Sequence, residues 1–239
     1  MTFAAVRVER HDWDSSFWEV EAVRVQISDA SELAAAELRC RELGACWASM
    51  SVPGADLTLL SEAVRSGYDV VDVRFTMKVE VATMESTAPW QPAEANESEA
   101  IISIARDAFR NSRFFTDPHL PNERCQDFYG TWARNSMNGQ LADVVLLERE
   151  REHITGFVTV RLGDDGNASL PLVATSPQHQ GRGVASRMLE QAISWTASNG
   201  AVRLEVVTQL SNTAAIRTYE SAGFRFAQAD VWLHRWFGD

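Results

Sequence analysis

Nowhere in the 239 residues do about 18 uncharged apolar residues run together, so no membrane-spanning helix is expected. Cysteine is scarce. Cys40, Cys46 and Cys125 are three in number, with no C-x-x-C pair, which argues against a disulfide framework and for buried thiols in a reducing compartment. His11, His119, His153, His179 and His234 fall at no metal-ligand spacing, so no metal is expected. Positive charge is the rarer sign, 22 Lys and Arg against 33 Asp and Glu, giving a net charge of −11. Such a surface repels phosphate backbones and anionic lipid, and neither nucleic acid nor membrane is an expected partner. Met1 to Asp14 contains no apolar signal-peptide core, so a cytoplasmic location is expected. At 45% hydrophobic and 23% charged residues, the chain is neither a disordered polymer nor a fibre.

What is present reads as α/β. In Val20 to Ile27 the residues Val23, Val25 and Ile27 share one side, as in a strand. Ser31 can cap a helix running to Glu42, and Leu57 to Arg65 forms another, closed by Gly67. Val71, Val73, Phe75, Met77 and Val79 alternate with Asp72, Arg74, Thr76, Lys78 and Glu80, the clearest strand of this region. Ala82 to Glu97 has the prolines and small polar residues of a linker. A small N-terminal α/β domain is therefore expected over 1–85 and a second domain over 86–239. In the latter, Asn96 and Glu99 resemble a capping box, and Asn111 to Pro121 reads as a polar loop. Cys125, Phe128, Tyr129 and Trp132 mark a helix. Strands follow at Asp143–Arg149, Ile154–Leu162 and Ala168–Thr175, with Asp164-Asp165-Gly166-Asn167 as a turn.

Chemistry is concentrated in the segment TSPQHQGRGVASRML, Thr175 to Leu189. A strand, a glycine turn and an amphipathic helix through Val184, Met188, Ala192 and Trp195 bring unpaired N–H groups and a helix dipole to one point, which favours an anion. A plain strand-to-helix turn is the ordinary alternative. Neither GxxxxGK[ST] nor GxGxxG occurs, so P-loop and Rossmann phosphate turns do not fit.

The spacing Gln178-x-x-Gly181-x-Gly183 resembles the acyl-CoA signature of the GNAT N-acetyltransferases. Downstream, Asn212, Tyr219 seven positions on, and Gly223-Phe224 are similar to the last helix of that family. The resemblance covers roughly Ala95 to Trp236 and implies a GNAT fold, with a mixed, mostly antiparallel sheet flanked by helices. It further implies an enzyme using acetyl-CoA as acyl donor. Donor-binding residues implied in this way are Val173, Thr175, Gln178, Gln180, Gly181, Arg182, Gly183, Val184, Ala185 and Asn212. Tyr219 is the implied general acid, since a phenol stays protonated at neutral pH and can serve a thiolate. Relatives carry a bulge near Pro171 whose free N–H groups face the thioester carbonyl. The alternative is that Pro171 merely begins the paired part of its strand.

A narrower resemblance extends over nearly the whole chain. Trp13-Asp14-Ser15-Ser16-Phe17-Trp18, Ser112-Arg113-Phe114, the FYxxW run Phe128 to Trp132 and the stretch Thr208 to Ala215 are similar to dTDP-fucosamine acetyltransferases. Trp18 and Glu19 depart from that pattern. The resemblance implies transfer to the amine of a nucleotide-linked amino-deoxy sugar by direct attack on the thioester, with Asp72 accepting the amine proton. Phe17, Trp18 and Arg113 then lie on the acceptor side; a solvated strand face is the alternative for Asp72, and capping of the helix that ends near Asn111 the alternative for Arg113. Other amines (a protein N-terminus, an aminoglycoside, a natural-product intermediate) and a non-catalytic acyl-CoA-binding module are the competing readings. A homodimer is expected by analogy.

Overall fold

The computed structural model describes residues 6–81 and 88–238. The expected boundary between residues 85 and 86, and the first part of the expected linker, lie outside the described residues. The chain divides into two compact units: Met1–Arg74 together with Gln228–Asp239, and Phe75–Ala227.

The first unit contains β1 (Arg7–Arg10), α1 (Asp12–Trp18), β2 (Ala22–Gln26), α2 (Leu33–Glu42), β3 (Trp47–Pro53), α3 (Leu57–Arg65) and the first half of β4 (Asp69–Glu80). The later part of β10 (Arg225–Trp236) completes it. β1 and β2 are antiparallel, β2 and β3 parallel, and β10 lies antiparallel to β3, with Val231 opposite Val52 and Trp236 opposite Trp47. Alternation sends Val23, Val25, Ala48, Met50, Val52, Val231 and Leu233 into a core with Leu33, Ala36 and Cys40 of α2 and Leu59 and Ala63 of α3. The other sheet face carries Arg24, Trp47, Ser49, Ser51, Trp232, His234 and Trp236, aligned by the same registers. Ser31 is not the cap of α2. Asp29 caps a 3-10 turn instead, its side chain accepting from the Ser31 N–H while Glu32 closes a capping box. α1 was not expected; His11 caps it and Asp12 and Asp14 stand in its first turn.

The second unit contains the rest of β4, α4 (Ser98–Ala108), α5 (Arg113–Thr116), α6 (Asn122–Met137), β5 (Val144–Glu150), β6 (His153–Leu162), β7 (Asn167–Leu170), β8 (Val173–Thr175), α7 (Val184–Ser198), β9 (Arg203–Gln209) and α8 (Thr213–Ser221). α5 occupies part of what reads in sequence as a loop. Strand order is β4-β9-β7-β6-β5, with β8 paired to β6. Met77, Val79, Leu146, Val158, Val160, Leu204 and Val206 pack against Met188, Leu189 and Ala192 of α7 and Tyr219 of α8. At roughly 25 cal/mol per Å² of apolar surface removed from water, burial in this layer stabilises the unit. α4 and α6 pack on each other and meet β5, β6 and β8. The molecule is α/β, with mixed but mostly antiparallel pairing and helices flanking the strands.

Candidate active site

Ala168–Thr175 is not one strand but two. Arg161 pairs with Ser169 and Val158 with Val173, so three steps along β6 answer four along its partner. The extra residue lies at Leu170–Leu172, and Pro171, which has no N–H to give a ladder, sits within it. This is a β-bulge. Thr159, fully buried, holds it closed: its N–H donates to Leu172 O at 2.9 Å and its Oγ1 accepts from Leu172 N–H at 2.9 Å. The expectation of free bulge N–H groups fails at this point, because Pro171 has none and Leu172 has given its own to Thr159. Nothing but ordinary strand periodicity marks Thr159 in the sequence.

The bulge has a consequence downstream. β7 lies parallel to β9, with Asn167 opposite Arg203 and Leu170 opposite Val206. β8, its continuation, pairs only with β6 among the described residues. The two strands therefore part after Leu170, leaving one edge of Val173–Thr175 without a strand partner, and outward N–H and C=O groups on such an edge are open to an extended ligand.

β8 leads into the glycine loop. Pro177–His179 forms a single 3-10 turn carrying Gln178, followed by Gln180 and by Gly181 and Gly183 at φ +73° and +74°. Only glycine adopts such angles without strain. Gly183 is the N-cap of α7 and makes no side-chain cap bond; the first intrahelical bond runs from Arg187 N to Gly183 O. The N–H groups of Val184, Ala185 and Ser186 thus lack helical acceptors. The loop is anchored from β5. Glu148 binds Arg187 and accepts from Gln191 Nε2 at 3.0 Å, Arg187 Nη1 donates to Arg182 O at 3.1 Å, and Glu150 lies 3.8 Å from Arg182 Nη1.

Asn212 is the N-cap of α8, and its Oδ1 accepts from Ala215 N at 3.2 Å, leaving its amide NH₂ without a hydrogen-bond partner among the described residues. Two turns on, Tyr219 is 6% exposed and packs beside Phe224 at 5.8 Å between ring centroids. Burial pushes its phenol well above the ordinary value, holding the proton on.

The remaining expected residues divide between the units. In the second, Arg113 is 8% exposed with its guanidinium 4.6 Å from the Phe114 ring, in a cluster where Tyr129 stacks on Phe109 and Trp132. In the first, Trp18 is buried edge-on to Trp47 at 6.4 Å, and Phe17 stacks on Trp13. Asp72 is 8% exposed and accepts from Arg74 Nε at 3.1 Å. Two concavities of about 400 and 590 Å³ occur elsewhere, one lined by β1 and α2 and the other by β4, β9 and the start of β10; neither includes an expected site residue. Among the described residues, no cluster of three or more His, Cys, Asp or Glu could hold a metal, and no helix is long and apolar enough to cross a membrane.

The strand that leaves its neighbour at a bulge leads into an uncapped glycine-rich helix start, the segment that carries the sequence motif. The profile of the Acetyltransferase (GNAT) family matches residues 99–224, and the chain belongs to that family. Among curated proteins it is similar to the spore coat polysaccharide biosynthesis protein SpsD of Bacillus subtilis, with 33% identity over 62% of this chain; the match spans half of the SpsD chain. It is also similar to a dTDP-fucosamine acetyltransferase of Escherichia coli O6:H1, with 24% identity over 95% of this chain and 97% of that one. Among solved structures, a GCN5-related N-acetyltransferase from Sphaerobacter thermophilus has a TM-score of 0.62 at 17% identity, covering 90% of this chain and 72% of its own. That likeness is one of fold.

Proposed function

We propose that the protein transfers the acetyl group of acetyl-CoA to the amine of a nucleotide-linked amino-deoxy sugar. The observation that carries the donor half is the parting of β8 from β9 at the Pro171 bulge, next to the glycine-started α7. Support for the acceptor half is the similarity to the dTDP-fucosamine acetyltransferase along 95% of the chain.

In this reading the pantetheine arm pairs with the open edge at Val173 and Thr175. The donor's pyrophosphate rests on the loop Gln178, Gln180, Gly181, Arg182 and Gly183 and on the N–H groups of Val184 and Ala185. Asn212 bonds the arm through its free amide. The amine lone pair attacks the thioester carbonyl, the C–S bond breaks, and the departing thiolate takes the Tyr219 proton. Asp72 takes the proton the amine loses, through water, and Phe17, Trp18 and Arg113 contact the acceptor.

The test is release of free CoA with a panel of TDP-amino sugars, peptides and aminoglycosides, each against a control without acceptor. Turnover confined to nucleotide-linked amino sugars supports the reading. Turnover with peptides or aminoglycosides alone overturns the acceptor class, and binding of acetyl-CoA with no turnover on any acceptor points to a binding module.

A further inference from the structure

On the sheet face of the first unit that faces away from α2 and α3, Trp232 is buried at 9% exposure between two arginines from different strands. The Arg74 guanidinium carbon on β4 lies 4.7 Å from the Trp232 ring centroid, and that of Arg24 on β2 lies 5.3 Å from it. Both distances are within cation–π range. A guanidinium stacked on a ring keeps its N–H edge free, so the indole fixes both groups without consuming their donors. Ser51, directly opposite Trp232 on β3, adds an exposed hydroxyl.

Arginines on a partly buried face are ordinarily relieved by carboxylates. Three carboxylates lie near; one pairs with Arg74 itself and two are engaged elsewhere. Asp72 accepts from Arg74 at 3.1 Å. Glu9, opposite Arg24 in the β1–β2 ladder, is bonded to Arg7 at 2.6 Å. Asp230, two residues before Trp232, accepts from Gln228 at 2.9 Å. Arg24, half-buried, meets only the indole and no acceptor among the described residues. In a chain of net charge −11, a fixed set of donors with one guanidinium wholly uncommitted is unusual. Its chemistry suits an anion that accepts at several points, above all a diphosphate, which offers two guanidinium forks separate oxygens.

We propose that Arg24 and Arg74, set on Trp232, bind the diphosphate of the acceptor. The inference rests on the nucleotide-linked acceptor reading and adds where its phosphates bind. Thymidine diphosphate, inorganic pyrophosphate and CoA are titrated into the wild-type chain, Arg24→Gln and Arg74→Lys by calorimetry at two salt concentrations, with thermal melts as a check on folding. Arg74→Lys keeps the charge beside Asp72 and removes the fork. The expected result is a Kd for thymidine diphosphate about tenfold or more weaker in Arg24→Gln, with a smaller loss in Arg74→Lys and an unaltered Kd for CoA. The loss should narrow at high salt. Unaltered diphosphate binding in both correctly folded variants, or none in the wild type, overturns the proposal. Acetylation of TDP-amino sugars with the same KM in wild type and both variants keeps the acceptor reading and removes this site. An Arg24-dependent diphosphate affinity without turnover on any nucleotide sugar keeps the site and removes that reading.

Discussion

Replacing Tyr219 by phenylalanine separates chemistry from stability unusually well. The phenol is buried and its hydroxyl makes no hydrogen bond among the described residues. Phe keeps the ring that packs on Phe224 and leaves no hydrogen-bond partner unsatisfied, so stability should move little. If the hydroxyl protonates the leaving thiolate, its loss removes a general acid, an effect of 10²–10⁴-fold. The expected fall in kcat is therefore about 100-fold or more, or about 2.7 kcal/mol on the barrier, with the melting temperature and Kd for CoA nearly unchanged. The pH dependence has a definite sign. Burial raises the phenol above its ordinary value, so the proton is present throughout the neutral and mildly alkaline range. Any loss of rate from its ionisation should lie above that of a free tyrosine, near pH 10. Steady-state kinetics from pH 6 to 10, beside a melt and a calorimetric CoA titration, make the measurement. Full turnover in Tyr219→Phe, or a fall matched by lost CoA binding, refutes the assignment.

In Asp72→Asn, kcat should fall and recover as pH rises and the amine deprotonates unaided; an unchanged pH–rate profile sinks the base assignment. A Cβ at Gly156 would meet Ala174 O at 2.7 Å and Met188 Sδ at 2.9 Å, forcing β8 off β6 and α7. Gly156→Ala is expected to cost about 1–3 kcal/mol, at roughly 2–4 °C per kcal/mol for a chain this size, and to weaken acetyl-CoA use; an unchanged melt contradicts the packing. Burial pushes the Cys40 and Cys125 thiols up to about 11, while Cys46 is exposed. A disulfide-exchange reagent at pH 8 should therefore find one fast thiol in the native protein and three after denaturation. Three fast equivalents would mean the cores around Cys40 and Cys125 open readily.

Local signals were legible where physics is local. The alternation from Val71 to Val79 marks β4, found at Asp69–Glu80, and the period of Leu57 to Arg65 marks α3 to the residue. Gly181, Gly183 and the Asn212 cap are equally local, since backbone angle and a three-residue hydrogen bond decide them. α1 carries no such signal, because seven residues are too few for a helical period and its cap is a histidine. The parting of β8 from β9 cannot be read along one strand, because it depends on which neighbour each half of a broken strand chooses. Nor can the Arg24, Arg74 and Trp232 group, drawn from three strands far apart in sequence.

The sheet of the first unit is closed by β10, whose pairing partner β3 precedes the whole of Phe75–Ala227. On the ribosome, β1 to β3 and their helices emerge early, and the edge of β3 that β10 will occupy has nothing yet to pair with. The second unit is contiguous and can close while synthesis continues; the first must wait for Val231 and Leu233 to arrive. For that interval β3 is an unprotected, apolar edge of the kind that recruits foreign strands. The expected vulnerability of this protein is therefore in its birth: slow translation through Phe75–Ala227, or loss of β10, should send nascent chains to aggregation even where the acetyltransferase unit has folded.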